Sequence, residues 1–327
     1  PAGRVSARFG VKYSILLSVP FHIIFFFLLF SLEFYHMPLV LLAITKGLAA
    51  GFFWVGRHTF MAQKTDHAKR GMELGRNKII KKILSFPGPL VGGFILTLFN
   101  INIVLIFVFI FLVLSVIPIF FIKEKHEPVD LSVKHIFRGL NWREKTILIT
   151  RGADDAMNDF VWPVFAFFTI LNQYFILGIV KFIEKVFLMI SDYLSGRAFD
   201  KRGSAVIKYG GFFSIFLWIG RTVVRTNLGV YVIDSFGGLI KPFIATGIDA
   251  ECFELANSED KVLHFIIARE ILIHIGRVVL FGILYFVVDL KLMFLFGLVY
   301  SLVYIFVKFD GNRGKDAENI ECVNFTN

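Results

Sequence analysis

Gly196-Arg197-Ala198-Phe199-Asp200-Lys201-Arg202-Gly203 is a polar island between two long apolar runs. Four of its eight residues are charged, so it cannot itself lie in hydrocarbon, and its spacing is Gly-x-x-x-Asp-basic-x-Gly. A degraded copy opens the chain as Gly3-Arg4-Val5-Ser6-Ala7-Arg8-Phe9-Gly10, an offset of 193 from residue 3 to residue 196. Working outward, Gly47-Leu48 with Gly56 matches Gly238-Leu239 with Gly247 at an offset of 191. Two landmarks repeating at nearly one interval predict two halves of similar build.

Those halves belong in a membrane. Of the 327 residues 56% are hydrophobic, and the mean hydropathy is +0.71. Runs of about 20 apolar residues, the length a helix needs to cross a bilayer, fill nearly the whole chain and leave no room for a soluble domain. Ten spans are expected, numbered three to twelve by their place in the duplicated pattern: 13–33, 37–62, 79–99, 101–122, 145–170, 173–195, 204–225, 227–253, 263–288 and 290–308. Each is read as a helix, because an isolated span must satisfy its own backbone hydrogen bonds in lipid. A membrane barrel is excluded, since its strands alternate in polarity instead of running apolar. Span seven starts about fifty residues before Gly196, whereas two residues precede Gly3, so spans one and two are expected to be absent from this sequence. Internal duplication of membrane-embedded halves is typical of secondary transporters.

The formal net charge of +10 has a topological reading. Arg4, Arg8, Lys64, Arg70, Lys82, Lys123, Lys145, Arg197, Arg202 and Lys308 all fall in every second loop, and those loops are therefore cytoplasmic. The alternate loops carry almost no positive charge, with Arg221 and Arg225 as exceptions. Nucleic acid is excluded as a partner on this ground. Cys252 and Cys322 form no disulfide framework and no metal spacing, so no cofactor or metal is expected. The 41 phenylalanines read as lipid-facing filler. The expected division is a first bundle over 1–123, a cytoplasmic connecting loop over 124–144, a second bundle over 145–309 and a cytoplasmic tail over 310–327.

Gly196 to Gly203 resembles the loop signature between the second and third helices of a half in the major facilitator superfamily. Arg57 to Gly93, with Arg70-Gly71 and Gly88-Pro89-Leu90-Val91-Gly92-Gly93, is similar to that family's passage from helix four through a basic loop into helix five. The resemblance implies an all-α membrane protein with two pseudo-symmetric helix bundles about a central cavity. Ten of its twelve transmembrane helices are present, and function is by alternating access. It further implies that Gly196, Asp200, Arg202 and Gly203, with Arg8 and Gly10 in the degraded copy, form a conformational latch on the cytoplasmic side. By pseudo-symmetry Asp200 would meet the start of span five near Arg76, Asn77 or Lys78. There are departures. Ala7 stands where the family usually has Asp, so the first latch should hold more weakly. The family's helix-four pattern Arg-x-x-Gln-Gly reads Ala43-Ile44-Thr45-Lys46-Gly47 here, which moves its cationic role to Lys46. The Gly88–Gly93 run looks like a helix-five motif associated with exporters and serves equally well for close packing, so direction stays open.

In that family helices three, six, nine and twelve face lipid. Here spans three, six and twelve have no charge in their middles, and nine has none before Arg221. The interior spans do. Arg151, Asp155 and Asp159 on span seven are four apart and share a helix face, with Arg151 placed to neutralise Asp155. A carboxylate shielded from water can load and release a proton in each cycle, so Asp155 and Asp159 are candidate proton or cation sites, the alternative being an ion pair that locks spans seven and eight. Lys181, Glu184 and Lys185 on span eight are expected to pair with those aspartates. Asp234 and Lys241 on span ten are seven apart, just before Pro242, and are expected to face the cavity. Lys46 is the candidate contact for an anionic group in the first half, while Arg57 and His58 are expected to snorkel toward water.

The expected function is secondary transport of a small solute by alternating access, coupled to protons, by a monomer in the plasma or inner membrane with a cytoplasmic C-terminus. Two alternatives stand beside it. A membrane enzyme acting on lipid-linked substrates would need a convergent acid–base or metal constellation, and none is written here. A transport-inactive sensor or scaffold would not need the charges on spans seven and ten.

Overall fold

The computed structural model describes residues 1–32, 34–36, 38–64, 70–121, 136–137, 140–257, 262–287 and 289–307. Helix is the only regular structure among these described residues. In chain order the helices are α1 (Ala2–Phe9), α2 (Val11–Ser31), α3 (Leu39–Lys64), α4 (Arg70–Ser85), α5 (Gly88–Leu98), α6 (Ile101–Leu114) and α7 (Val116–Phe120). Then come α8 (Trp142–Ala156), α9 (Trp162–Ala166), α10 (Tyr174–Arg202), α11 (Ala205–Val223), α12 (Asn227–Asn257), α13 (Val262–Phe286) and α14 (Leu290–Phe306). Two π-helical turns, Met157–Val161 and Phe167–Leu171, run on from α8 and α9 and make residues 142–171 one rod. Among the described residues five helical stretches are long and apolar enough to cross a membrane: Val11–Ser31, Leu39–Gln63, Met72–Leu98, Ile101–Phe120 and Asn227–Ala256.

Most expected spans sit within a few residues of a helix, and the differences have physical causes. Span seven starts at Trp142, not at 145, because Asn141 and Glu144 form a capping box: each side chain bonds the other's backbone N–H. Span five starts at Arg70, nine residues before the expected 79. Its first turns are too charged to read as membrane. The break at Phe86–Pro87 that separates α4 from α5 follows from a proline that has no N–H to give. Residues 124–135 and 138–139 of the connecting loop and the whole tail, 310–327, lie outside the described residues, and the end of the expected loop, from Trp142, already belongs to α8.

The chain gathers into two compact units. One comprises Pro1–Lys64, Leu98–Gly139 and Glu259–Glu270; the other comprises Thr65–Thr97, Leu140–Ser258 and Ile271–Asn327. In the first unit α2 and α3 pack closely: a Cβ on Gly56 would lie 2.7 Å from Ile15 Cγ1. In the second unit α11 and α12 pack the same way, and a Cβ on Gly247 would lie 2.6 Å from Ile207 Cγ1. The offsets, 191 for the glycines and 192 for the isoleucines, are those of the sequence landmarks. The polar islands also correspond. Gly10 has φ 104° and Gly203 has φ 56°, a region that side chains disfavour; Gly10 caps the end of α1 and the start of α2, and Gly203 caps the end of α10 just before α11.

Candidate functional site

The second unit holds a buried charge network built from four rods. Lys181 on α10 donates to Glu184 Oε2 at 2.8 Å on its own helix and to Asp234 Oδ2 at 2.9 Å on α12. Lys241 on α12 donates to the other oxygen of Glu184. The two helices come this close because a Cβ on Gly238 would lie 2.7 Å from the Glu184 carbonyl oxygen. Asp234 Oδ1 accepts from Trp162 Nε1 at 2.6 Å. Arg221 on α11 donates to Asn158 Oδ1 at 2.8 Å, and Asn158 in turn donates to Asp154 at 3.0 Å. Asp154 also accepts from Tyr304 at 3.4 Å. Three acids and three bases are thus held together: Asp154, Glu184 and Asp234 with Lys181, Arg221 and Lys241.

This corrects three sequence expectations. Lys181 and Glu184 pair with α12, not with the aspartates of span seven, because Gly238 brings α12 against them. Asp234 is buried, not open to a cavity. Arg221, counted as an exceptional loop charge, turns inward and lies between the rings of Trp162 and Trp218, 4.8 and 4.5 Å from their centroids. Its signal was available: an arginine three residues after a tryptophan shares a helix face with it.

Asp155 and Asp159 of span seven stand apart from this network. Asp155 pairs with Arg151 at 2.8 Å, as its spacing implies, and has Arg277 at 4.0 Å. Asp159 is exposed. It sits in the π-helical turn, where the i→i+5 bonds break the 3.6-residue register that would have stacked it over Asp155.

The polar island grips α4. Asp200 Oδ2 accepts from Met72 N at 3.0 Å, in the first turn of that helix. The contact is with a backbone N–H, and it falls earlier in the chain than the stretch Arg76 to Lys78 where it was expected. At the other end Lys185 donates to the Ser85 carbonyl at 2.6 Å. A carboxylate and an ammonium, both from α10, therefore meet the N- and C-terminal ends of α4 in the sense its dipole favours. Between them Lys82 pairs with Asp192, and Lys78 pairs with Asp249 at 2.8 Å. Gly196 is buried beside this contact; Arg202 lies over Tyr209 at 5.7 Å.

In the first unit Arg8 lies over Phe9 at 5.4 Å. Lys46 is exposed, with its ammonium 4.9 Å from the Phe25 ring and 5.9 Å from Phe26. His58 does not snorkel: its Nδ1 lies 2.7 Å from Glu270 Oε1 and 2.9 Å from Arg269 Nη1, and its ring stacks on Trp54 at 5.1 Å.

Comparison with known proteins agrees with this geometry. The sequence profile described as Major Facilitator Superfamily matches residues 1–248. An uncharacterized Bacillus subtilis (strain 168) protein, YqgE, is 22% identical over 307 residues, covering 86% of this chain and 70% of the relative. The crystal structure of a single-substitution variant of the E. coli fucose:proton symporter, FucP, shares the fold at TM-score 0.66 and 11% identity, over 93% of this chain and 85% of that one. FucP in the outward conformation gives 0.61 and 11%, over 93% and 84%. Fold, multi-pass helices and the profile match together make this chain a member of the major facilitator superfamily, a membrane transporter and not an enzyme.

Proposed function

We propose that this chain moves a small solute across the cell membrane by alternating access and couples that movement to protons. The observation that carries the reading is the balanced network of three acids and three bases. Burying ionic groups gains a bundle little that apolar residues of equal volume would not supply, and ionisable groups within spans mark ion and substrate pathways. In this reading Lys241 lines the path with its partner Glu184 and with Asp234 buried behind it, and Lys46 contributes from the first bundle. Asp155 and the exposed Asp159 load the proton; the likeness in fold to a fucose:proton symporter supports coupling of this kind. The bundles are 1–123 and 145–309, joined by a cytoplasmic loop over 124–144. The contacts of α4 with Asp200, Asp192 and Asp249 then hold the cytoplasmic side closed. The protein works as a monomer without a cofactor, its C-terminus in the cytoplasm.

The test is flux in proteoliposomes containing the full-length protein, screened across small solutes under an imposed proton gradient. Uphill accumulation that an uncoupler abolishes is expected. Asp159→Asn should lose accumulation while keeping downhill counterflow. Accumulation that ignores the uncoupler overturns the coupling.

A further inference from the structure

The network has two sides. The ammonium groups face outward, with the Lys181 and Lys241 side chains 23% and 19% exposed. Their carboxylate partners lie behind them, Glu184 at 6% and Asp234 at 1%. A solute approaching the network meets cations first.

Arg221 closes the inner side and is fully buried. Its Nη1 is used by Asn158. Its Nε and Nη2 have no hydrogen-bond acceptor among the described residues. Nη2 stops 3.9 Å from Asp234 Oδ1, an oxygen already taken by the Trp162 indole. The two indole faces hold the guanidinium in place as a cation, yet a buried donor without an acceptor is costly. The carboxylate beside it is a second partner waiting to be used.

We propose that Asp234 exchanges counter-ions during the cycle. When an anionic group on the solute draws the Lys181 ammonium away, Arg221 Nη2 closes onto the carboxylate. The buried acid is then never left unpaired, and the lysine is free to bind. Resting on the transport reading above, this assigns the substrate to small solutes bearing a carboxylate or phosphate, held by Lys181 and Lys241. The six charges sum to zero, so one added anion leaves an excess that a single co-transported proton cancels.

The exchange is tested by a thermal double-mutant cycle on purified full-length protein. Lys181→Met and Arg221→Gln should each lower Tm modestly, because the other cation takes over Asp234. The double variant should lose more than the sum of the two, and adding Asp234→Asn should restore part of that loss. Arg221→Lys, which keeps the charge, provides the control for a variant that fails to fold. Additive losses overturn the exchange. The substrate class is tested by electrical recording from proteoliposomes at constant ionic strength. Lactate, gluconate and glycerol 3-phosphate are compared with glycerol, glucose and ethanolamine, and the two kinds of anion separate carboxylate from phosphate preference. A response to an anion is expected, reduced at least tenfold in Lys181→Met and retained in Lys181→Arg. A response confined to neutral or cationic members overturns the assignment. The cycle is read without any transport, so a coupled cycle in a protein that carries nothing sinks only the transport reading.

Discussion

One carboxylate, Asp200, crosses from the end of α10 to the backbone of Met72. Its position was legible through the resemblance of the island to the loop signature of the superfamily; its partner was not, because a backbone N–H has no residue identity. Such a helix-end contact is worth about 1 kcal/mol. Asp200→Ala is expected to shift the resting population about five-fold toward the inward-open form, read as faster labelling of cysteines placed on the cytoplasmic side. Unchanged labelling counts against the latch. Gly203, at φ 56°, should tolerate alanine poorly: Gly203→Ala is expected to cost about 1–3 kcal/mol and to lower Tm measurably. Lys181 and Arg221 were not legible in the same way. Helical periodicity says which face a side chain occupies, but it does not say which neighbour that face meets. The loop reading fails for Arg221 because two indoles, one of them 59 residues away in the chain, receive its guanidinium.

Among the elements, α8 and α13 come very close at two glycines. A Cβ on Gly152 would lie 1.8 Å from the Ile273 carbonyl oxygen, and one on Gly276 would lie 1.9 Å from that of Ile149. Neither contact involves a flexible side-chain end, so Gly152→Ala or Gly276→Ala must push two backbones apart. Overpacking of this kind costs about 1–3 kcal/mol, and thermal melts should show each variant well below the parent. At α4 the paired lysines allow a reciprocal test. Lys82→Asp should loosen the α4–α10 contact, and Asp192→Lys in the same protein should restore it, both read by a cysteine crosslink between the helices. The extent of α4 was hidden because its first turns are charged: hydropathy reports what lipid will accept, whereas the helix continues where α10 supplies its partners. The π-helical turns of the 142–171 rod left no mark in the residue pattern, since a change of hydrogen-bond register needs no particular side chain.

The duplication is what the sequence disclosed best about the whole molecule. Gly56 and Gly247, 191 apart, became matching helix contacts with Ile15 and Ile207, 192 apart, because a glycine is needed where two helices come this close; Gly47 and Gly238 did not, since a Cβ on Gly47 would meet open space. The charge pairing inside the second unit was least legible, being a property of three-dimensional neighbours that composition averages away. The Trp162–Arg221–Trp218 stack has a practical consequence. The protein has four tryptophans, and two of them sandwich the guanidinium proposed to move. Intrinsic emission is therefore a label-free optical gauge of that movement. Replacing Trp54 and Trp142 with phenylalanine would leave a two-indole signal whose intensity should change on adding a transported anion and stay flat in Arg221→Gln.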